Sequence, residues 1–365
     1  MDESSYRILF GTFAFLLGAT VGSFLNVCIY RLPRDLSVNR PRRSFCPSCK
    51  KPIAWYQNIP LLSWLFLRGR CAHCGAKITF RYFGVELLTG LLFLAVWRSF
   101  PWPMALAYWV FVSLVTVATF VDFEHFIIPD EVTIGGTIAG IVASVAVPAL
   151  MQADSRLAAL VRSSLAAALG YGTLLIVMEA GKMAFGRKRI RFDAPTPFTW
   201  KRRGEDADFS VGEENSAWSE YFARESDRLL LFCDQAQIDN RAYGSVTLEF
   251  YYNRVVVEGE QFILDEVNSI SGLVRELQIP REAMGRGDLK FLAAIGAFLG
   301  WRAVLFSIFA GSLLGSLVGL VTLLVGKRVW STKLPFGPYL AFGALTWLFF
   351  GEALLRWYMA MLNPA

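Results

Sequence analysis

The chain has 365 residues, of which 55% are hydrophobic and only 18% are charged, and its mean hydropathy is +0.43. Soluble domains carry about a quarter charged residues, so this composition disfavours a soluble globular protein and predicts a lipid bilayer as a partner. The net charge of +6 is explained by basic loops at a membrane surface, so nucleic acid is not expected as a partner.

Apolar segments recur along the chain and predict about eight transmembrane helices. Lipid offers no hydrogen bonds to the backbone, so these segments are expected to be helical. The first is expected to stay in the protein, because the residues before it are acidic rather than basic. The sixth is short for a span. The segments are Leu9–Tyr30, Val85–Pro101, Met104–Val121, Val132–Leu150, Leu165–Phe185, Phe291–Leu299, Val304–Val325 and Tyr339–Leu362.

Lys and Arg residues are concentrated in alternate loops. They are dense in residues 31–82, and they recur in 187–189 and 327–333. Because basic loops stay in the cytoplasm, the pattern predicts cytoplasmic long loops and both termini outside.

The first long loop contains four cysteines in two CxxC pairs. Cys46 and Cys49 form the first pair, and Cys71 and Cys74 form the second. This spacing is typical of a tetrahedral zinc site, and four protein ligands leave no open position for catalysis. Two disulfides are the alternative, but disulfides seldom persist in the cytoplasm. We therefore expect a structural zinc knuckle.

Two aspartates lie at the ends of apolar segments, where ionisable groups are few. Asp122 ends the third segment, and Asp288 begins the sixth within the motif Gly285–Lys290. The helix count places both at one membrane boundary, although 166 positions separate them. Nearby carboxylates share one proton, which is how an aspartic protease activates water. Asp122 and Asp288 are therefore predicted as a catalytic pair.

Neighbouring residues are assigned supporting roles. Gly285 and Gly287 lack a Cβ, which lets backbone and substrate approach Asp288, and Lys290 follows in the same motif. The dipole of the helix that begins there favours Asp288 as the ionised partner.

Simpler interpretations remain open for these acids. Asp288 could be only a helix N-cap, and Asp122 could be an interfacial charge. Asp130 follows Pro129 and is predicted as an ordinary N-cap. Glu124 and His125 are expected to be solvated loop residues.

Residues 188–280 form a long polar insertion between the two aspartates. Alternating residues over Ser245–Tyr252, Arg254–Val257 and Gln261–Leu264 predict a β-hairpin or small sheet, with Leu229–Phe232 as a further strand. Ile270–Leu277 is predicted as a short helix ended by Pro280. The insertion either selects substrates or docks an assembly partner, or it is a tolerated surface addition.

These motifs together resemble the start, middle and end of type IV prepilin peptidases. The resemblance covers nearly everything outside residues 188–280, where the family commonly has a short loop. Besides the CxxC pairs, the matching segments are Val21–Pro33, Asn58–Ser63, Leu67–Arg70, Arg81–Gly90, Asp122–Asp130, Gly285–Trp301 and Pro335–Tyr339.

The resemblance implies an enzyme of the bacterial inner membrane. Such an enzyme cuts the leader of prepilins or pseudopilins after a glycine, for type IV pili or type II secretion. Many relatives also methylate the new N-terminus with S-adenosylmethionine. By match to the family's motifs, Asp122 and Asp288 are the catalytic pair and the four cysteines are the zinc knuckle. Asn26, Arg31 and Glu86 could position substrate or cofactor, with Asp130 as a further candidate, or pair inside the bundle.

The predicted fold is an all-α polytopic membrane protein with a cytoplasmic zinc-knuckle loop and a small β or α+β insertion. The predicted parts are a first helix in 1–30, the knuckle in 31–82, helices 2–5 in 83–187, the insertion in 188–280 and helices 6–8 in 281–365.

Three alternative functions remain open. One is a peptidase without methyltransferase activity, and another is a zinc-knuckle scaffold or transporter. The third is a protease that cuts within the bilayer. A transporter needs acids deep in the spans, where only Glu86, Glu179 and Glu352 occur, and the boundary position of the aspartates favours cutting at the surface.

Overall fold

The chain forms two compact units, Met1–Leu175 with Gly285–Ala365 and Ile176–Met284. The computed structural model describes residues 3–41, 44–185, 187–203, 206–212, 214–222, 228–280, 285–325 and 335–362. The basic residues 327–333, used above to predict orientation, lie outside the described residues.

Eight α-helices are present in the described residues. Six of them, α1, α3, α4, α6, α7 and α8, are long and apolar enough to cross a membrane. Helix α5 has 17 residues, and α2 is a single short turn of the knuckle loop. The helices are α1 Glu3–Arg31, α2 Leu62–Phe66, α3 Arg81–Ser99, α4 Trp102–His125, α5 Asp130–Ala146, α6 Arg156–Phe185, α7 Arg286–Leu324 and α8 Gly337–Leu362.

Helix α7 contains a break that corresponds to the boundary predicted between the sixth and seventh segments. Gly300 has φ 80° and ψ 176°, which is not helical. The carbonyl of Ala297, just before the break, accepts hydrogen bonds from Ser144 Oγ at 3.0 Å and Ser163 Oγ at 2.8 Å. These hydroxyls stabilise a carbonyl near the break in apolar surroundings, as buried backbone groups require. With α5, the two halves of α7 account for the eight predicted segments.

The first half of α7 lies in close contact with α5 and α6. A Cβ on Gly170 would lie 2.6 Å from the Leu292 carbonyl oxygen, and one on Gly296 would lie 2.4 Å from that of Ala166. On α5, a Cβ on Gly140 would lie 2.8 Å from Ala297 Cβ. Small residues let membrane helices approach backbone to backbone. These contacts hold the half-helix that begins near Asp288.

The second unit contains an antiparallel sheet rather than an α+β fold. Its order is β3-β2-β1-β9-β4-β6-β7-β8, with β5 paired to β4. Large apolar side chains such as Phe198, Phe209 and Phe250 form its core. The strands are β1 Arg187–Arg203, β2 Asp206–Val211, β3 Glu214–Ala217, β4 Leu229–Ile238, β5 Arg241–Tyr243, β6 Val246–Phe250, β7 Arg254–Val257, β8 Glu260–Ile263 and β9 Ser269–Pro280.

Within this sheet the predicted hairpin is confirmed, but the predicted helix at Ile270–Leu277 is wrong. Those residues belong to β9, which pairs with β1 and β4. Ile270, Val274 and Leu277 are the buried apolar residues of this stretch, a spacing that imitates a helix. Adjacent Phe232 and Cys233 pair with Glu276 and Val274, so Arg275 is an extra residue in β9 itself and the period of two is lost there.

Replacement of Gly170 by Ala is expected to destabilise the bundle. The new Cβ would collide with the Leu292 carbonyl, and overpacking of this kind costs about 1–3 kcal/mol. The matched control is Gly172→Ala on the same helix, where a Cβ meets nothing within 4 Å. Thermal unfolding of the purified protein in detergent measures the difference. Equal midpoints for the two variants would contradict the close approach of α6 and α7.

Candidate active site and metal centre

Asp122 lies in the last turn of α4 and is only 5% exposed. Its Oδ2 accepts a hydrogen bond of 2.9 Å from the backbone amide of Gly337, the first residue of α8. An amide in the first turn of a helix has no partner inside that helix, so it is free to donate to a carboxylate. The carboxylate therefore has a defined orientation at the end of α8.

Asp288 lies in the first turn of α7 and is 8% exposed. Gly285 is the N-cap of this helix, so Asp288 is not a simple cap. Ile128 contacts both Gly287, the residue before Asp288, and Gly337, whose amide binds Asp122, so the structure brings the two acids into one region. Each acid thus lies beside a helix N-terminus, where backbone amides favour negative charge.

Ile128 contacts the beginnings of both α7 and α8. A Cβ on Gly287 would lie 3.2 Å from Ile128 Cβ, and a Cβ on Gly337 would lie 3.0 Å from Ile128 Cδ1 and 2.7 Å from Asp122 Oδ2. Gly287 therefore leaves room for Ile128 rather than for substrate. A Cβ on Gly285 would lie 3.5 Å from Asp288 Oδ2, an ordinary contact.

Gly337 is the site residue that the sequence analysis did not single out. It falls within the matching segment Pro335–Tyr339, but its role depends on a contact across 215 positions. The pair Gly337–Pro338 before an apolar segment was the sequence feature that could have identified it.

The prediction that Asp130 is an N-cap is wrong. Pro129 is the cap of α5, and Asp130 is the first helical residue. The Asp130 carboxylate instead forms an ion pair of 2.6 Å with Lys290 Nζ. The pair joins the first turns of α5 and α7 close to Asp288, and this gives Lys290 its supporting position.

Glu124 and His125, expected in a solvated loop, belong to the last turn of α4. Glu124 is exposed but forms an ion pair with Arg81 at the start of α3. His125 is half-buried. The end of α4 is thus linked to α3 on one side and to the aspartate region on the other.

The four cysteines of the knuckle form one cluster. The sulfur atoms of Cys46, Cys49, Cys71 and Cys74 all lie within 4.8 Å of one another, and all four are free thiols. The two Sγ atoms of Cys46 and Cys74 are 3.9 Å apart. A tetrahedral ion with metal–sulfur bonds of about 2.3 Å requires sulfur separations of roughly 3.8 Å. The residues therefore fit a bound metal.

The two CxxC turns have the same backbone geometry. The amide of Lys50 donates to the Cys46 carbonyl, and the amide of Gly75 donates to the Cys71 carbonyl, at 2.8 and 2.9 Å. Lys50 and Gly75 both have positive φ, of 58° and 70°. A hydrogen bond from the backbone of Cys49 lowers the pKa of the Cys46 thiol to about 6, which favours the thiolate that a metal binds.

A cavity of about 390 Å³ lies between the knuckle loop and the facing ends of α1 and α3. Asn26 and Glu86 line it, and both are buried. Asn26 Nδ2 donates to the Tyr82 carbonyl at 3.0 Å, whereas its Oδ1 has no hydrogen-bond partner among the described residues. Glu86 accepts from the amide of Leu61 at 2.8 Å. Asn26 Oδ1 is therefore a buried acceptor without a partner among the described residues, on a residue of the cavity wall.

Arg31 also lines the cavity, but its contacts organise the loop that follows α1. Its guanidinium donates to the carbonyls of Ser37, Val38 and Pro41 at 2.8–3.1 Å. Replacing it would therefore disturb the knuckle loop as a whole.

These features define a class of protein. It is a polytopic membrane protein with two buried carboxylates at helix ends and a four-cysteine knuckle beside a cavity. Residues 16–100 match the family described as the bacterial peptidase A24 N-terminal domain. Residues 109–187 and 267–320 match the type IV leader peptidase family, which leaves most of the sheet unit outside the match.

Several relatives are described as prepilin leader peptidase/N-methyltransferase. The protein of Klebsiella pneumoniae is 37% identical over 196 residues, which is 52% of this chain and 82% of that protein. The protein of Aeromonas hydrophila is 29% identical over 379 residues, covering 96% of this chain and 94% of its own length. The protein of Myxococcus xanthus strain DK1622 is 54% identical over 134 residues, which is 36% of this chain and 40% of that protein.

The chain belongs to the type IV leader peptidase family. No solved structure matches it.

Removal of one knuckle cysteine is expected to release the metal. Cys71→Ser leaves three thiolates and an open position, which weakens binding, so metal per chain should fall well below the roughly one ion expected for wild type. The control is Cys28→Ser, because Cys28 lies outside the cluster. Metal content of the purified full chain is measured by mass spectrometry. Equal metal content in Cys71→Ser and wild type would contradict the site.

Proposed function

We propose that this protein is a prepilin leader peptidase that uses Asp122 and Asp288 as its catalytic pair. It cuts the leaders of type IV prepilins or pseudopilins after a glycine, at the cytoplasmic face of the bacterial inner membrane. The observation that carries the proposal is that two buried acids, Asp122 on the Gly337 amide and Asp288 next to Gly287, are linked through Ile128 in a member of this family.

The mechanism requires the two carboxylates to share one proton. The ionised carboxylate takes a proton from water as the water attacks the scissile carbonyl, and the protonated one donates to the carbonyl oxygen. Gly337 directs the Asp122 carboxylate through its amide, so that this acid needs no motion before the reaction. Asp288 lies in the first turn of α7, where the helix dipole stabilises a negative charge on its carboxylate.

A second activity, N-methylation of the new N-terminus, is assigned to the cavity beside the knuckle. S-adenosylmethionine would supply an electrophilic methyl group there. The molecule carries two cations and several hydrogen-bond donors, and the buried Glu86 carboxylate and the free Asn26 Oδ1 suit such groups. Tyr30, Trp64 and Tyr82 line the same cavity and offer aromatic surface for a planar base. The alternative of a peptidase without this activity leaves the Asn26 acceptor unexplained.

Zinc is the metal proposed for the knuckle, with a structural role. Four cysteine thiolates complete a tetrahedral shell, so no position remains for water or substrate. The knuckle lines one side of the cavity through Cys46 and Cys71, so the metal would hold the cavity wall.

The membrane orientation has both termini outside and the long loops in the cytoplasm. Its support is the distribution of Lys and Arg in the sequence. For residues 188–280 we retain the hypothesis that they bind a pilus or secretion assembly partner. This hypothesis is supported by two observations. The sheet has a hydrophobic core of its own, and most of the sheet lies outside the residues that match the family.

The scaffold or transporter alternative is disfavoured because the glutamates that an ion path would use have partners. Glu86 is hydrogen bonded to the backbone of Leu61, and Glu352 lies near Arg356, so neither is a free group along a path for ions. Cutting within the bilayer is disfavoured because both aspartates lie in terminal turns of their helices.

Asp122→Asn and Asp288→Asn are each expected to abolish cleavage of a prepilin by membranes that contain the protein. Loss of either proton-transfer group should lower the rate at least a thousandfold, or about 4 kcal/mol in the barrier. The control is Asp154→Asn, an exposed acid in the connection between α5 and α6, which should retain most activity. Product mass from gel-purified peptide is the readout. Cleavage that survives both substitutions would refute the pair.

Asn26→Leu is expected to lower methylation while leaving cleavage largely intact. The substitution removes the buried acceptor in the cavity, which is separate from the aspartate pair. The control is Thr89→Val, a buried change on α3 outside the cavity lining. The mass of the mature N-terminus distinguishes methylated from unmethylated product by about 14 Da. Equal loss of both activities, with Thr89→Val unaffected, would mean that Asn26 has only a structural role.

A further inference from the structure

The knuckle loop carries an apolar surface that no other described part of the chain covers. We call it the knuckle patch, and Trp55 and Phe66 are each 82% exposed within it. Large aromatic side chains exposed together are unusual on a surface that faces only water. The patch consists of Trp55, Tyr56, Leu62, Leu65 and Phe66, all exposed.

Helix α2 presents one apolar face outward. Leu62, Leu65 and Phe66 have the spacing i, i+3 and i+4, so they share that face. Trp64 points the other way and packs against Phe80 and Phe83, with ring centroids 5.5 and 5.3 Å apart. Trp64 already occupies the core-facing position of α2. The outward face formed by Leu62, Leu65 and Phe66 is therefore not part of the core.

A hydrogen bond sets the depth of α2 along the span α3. The amide of Leu61, the residue before α2, donates to Glu86 at 2.8 Å. Glu86 lies five residues inside the candidate span that begins at Arg81. At 1.5 Å per residue this is roughly 7–8 Å from the start of the span. The hydrogen bond therefore holds α2 beside the first turns of α3, the level at which an interfacial helix would meet the headgroup layer.

The charge of the loop suits an anionic surface. Residues 36–80 contain eight Lys and Arg and no Asp or Glu. Basic segments next to a span are attracted to anionic headgroups, and Trp and Tyr prefer the same region of the bilayer. Exposed basic residues such as Arg68 and Arg70 directly follow the apolar face of α2.

We propose that the knuckle patch is a membrane anchor that inserts into the headgroup layer of an anionic bilayer. The loop leaves the membrane at the end of α1 and returns at Arg81, so the patch adjoins two surfaces already in lipid. Insertion holds the knuckle and its cavity at the surface of the membrane. This anchoring does not depend on which reaction the protein catalyses.

A photocrosslinking amino acid placed in the full chain tests the proposal. p-Benzoylphenylalanine at position 66 is compared with the same group at position 51, an exposed knuckle position outside the patch. The protein is reconstituted in vesicles of phosphatidylethanolamine and phosphatidylglycerol, irradiated, and analysed by mass spectrometry. Lipid adducts should be at least about fivefold more abundant at position 66. Metal content equal to wild type shows that each variant is folded.

Vesicles of phosphatidylcholine supply the second arm. Without anionic headgroups, the adduct yield at position 66 should fall severalfold, since the basic residues beside the patch lose their attraction to the surface. Equal adduct yields at positions 66 and 51 would overturn the anchor. Crosslinks from position 66 to a second copy of the chain, or to an added prepilin, in place of lipid would also overturn it. An unchanged yield in phosphatidylcholine would refute recognition of anionic lipid.

Discussion

The hydrogen bond from the Gly337 amide to the Asp122 carboxylate joins the end of α4 to the beginning of α8, and the candidate active site depends on it. Both groups are buried, so each needs the other as a hydrogen-bond partner. A side chain at position 337 would occupy the space of the carboxylate oxygen. Ile128 then extends the contact to Gly287 and the first turn of α7. One amide, one carboxylate and one apolar side chain thus set where three helices meet.

The half-helix that bears Asp288 is held from the other side by backbone contacts. Glycines on α5 and α6 allow close approach, and Ser144 and Ser163 bind the carbonyl of Ala297 just before the break at Gly300. A catalytic carboxylate gains precision when its helix cannot shift, because the cost of misplacing a reacting group is steep. The first half of α7 is therefore a rigid support for Asp288, and the break separates that support from the rest of the helix.

The last turn of α4 links the two proposed activities. Asp122 belongs to the aspartate pair, whereas Glu124, two residues later, lines the cavity beside the knuckle and is paired with Arg81. A peptidase that leaves a new N-terminus and a transferase that modifies it would then act from neighbouring parts of one unit. The knuckle contributes to this arrangement through Cys46 and Cys71 in the cavity wall and through the Leu61–Glu86 hydrogen bond. Insertion of its exposed aromatic side chains into the headgroup layer would hold the same loop at the membrane surface.

The sequence by itself determined the apolar segments, the paired CxxC motifs, the two aspartates and the family, because these signals are local or depend on residue type and spacing. It also predicted the hairpin in the insertion, where residues alternate strictly. Only the tertiary structure decided that Asp130 pairs with Lys290, that Gly337 donates to Asp122 and that Ile270–Leu277 is a strand. Those outcomes rest on partners up to 215 positions apart and on a bulge at Arg275 within β9. No local periodicity encodes such partners, since packing between elements selects them after the elements form.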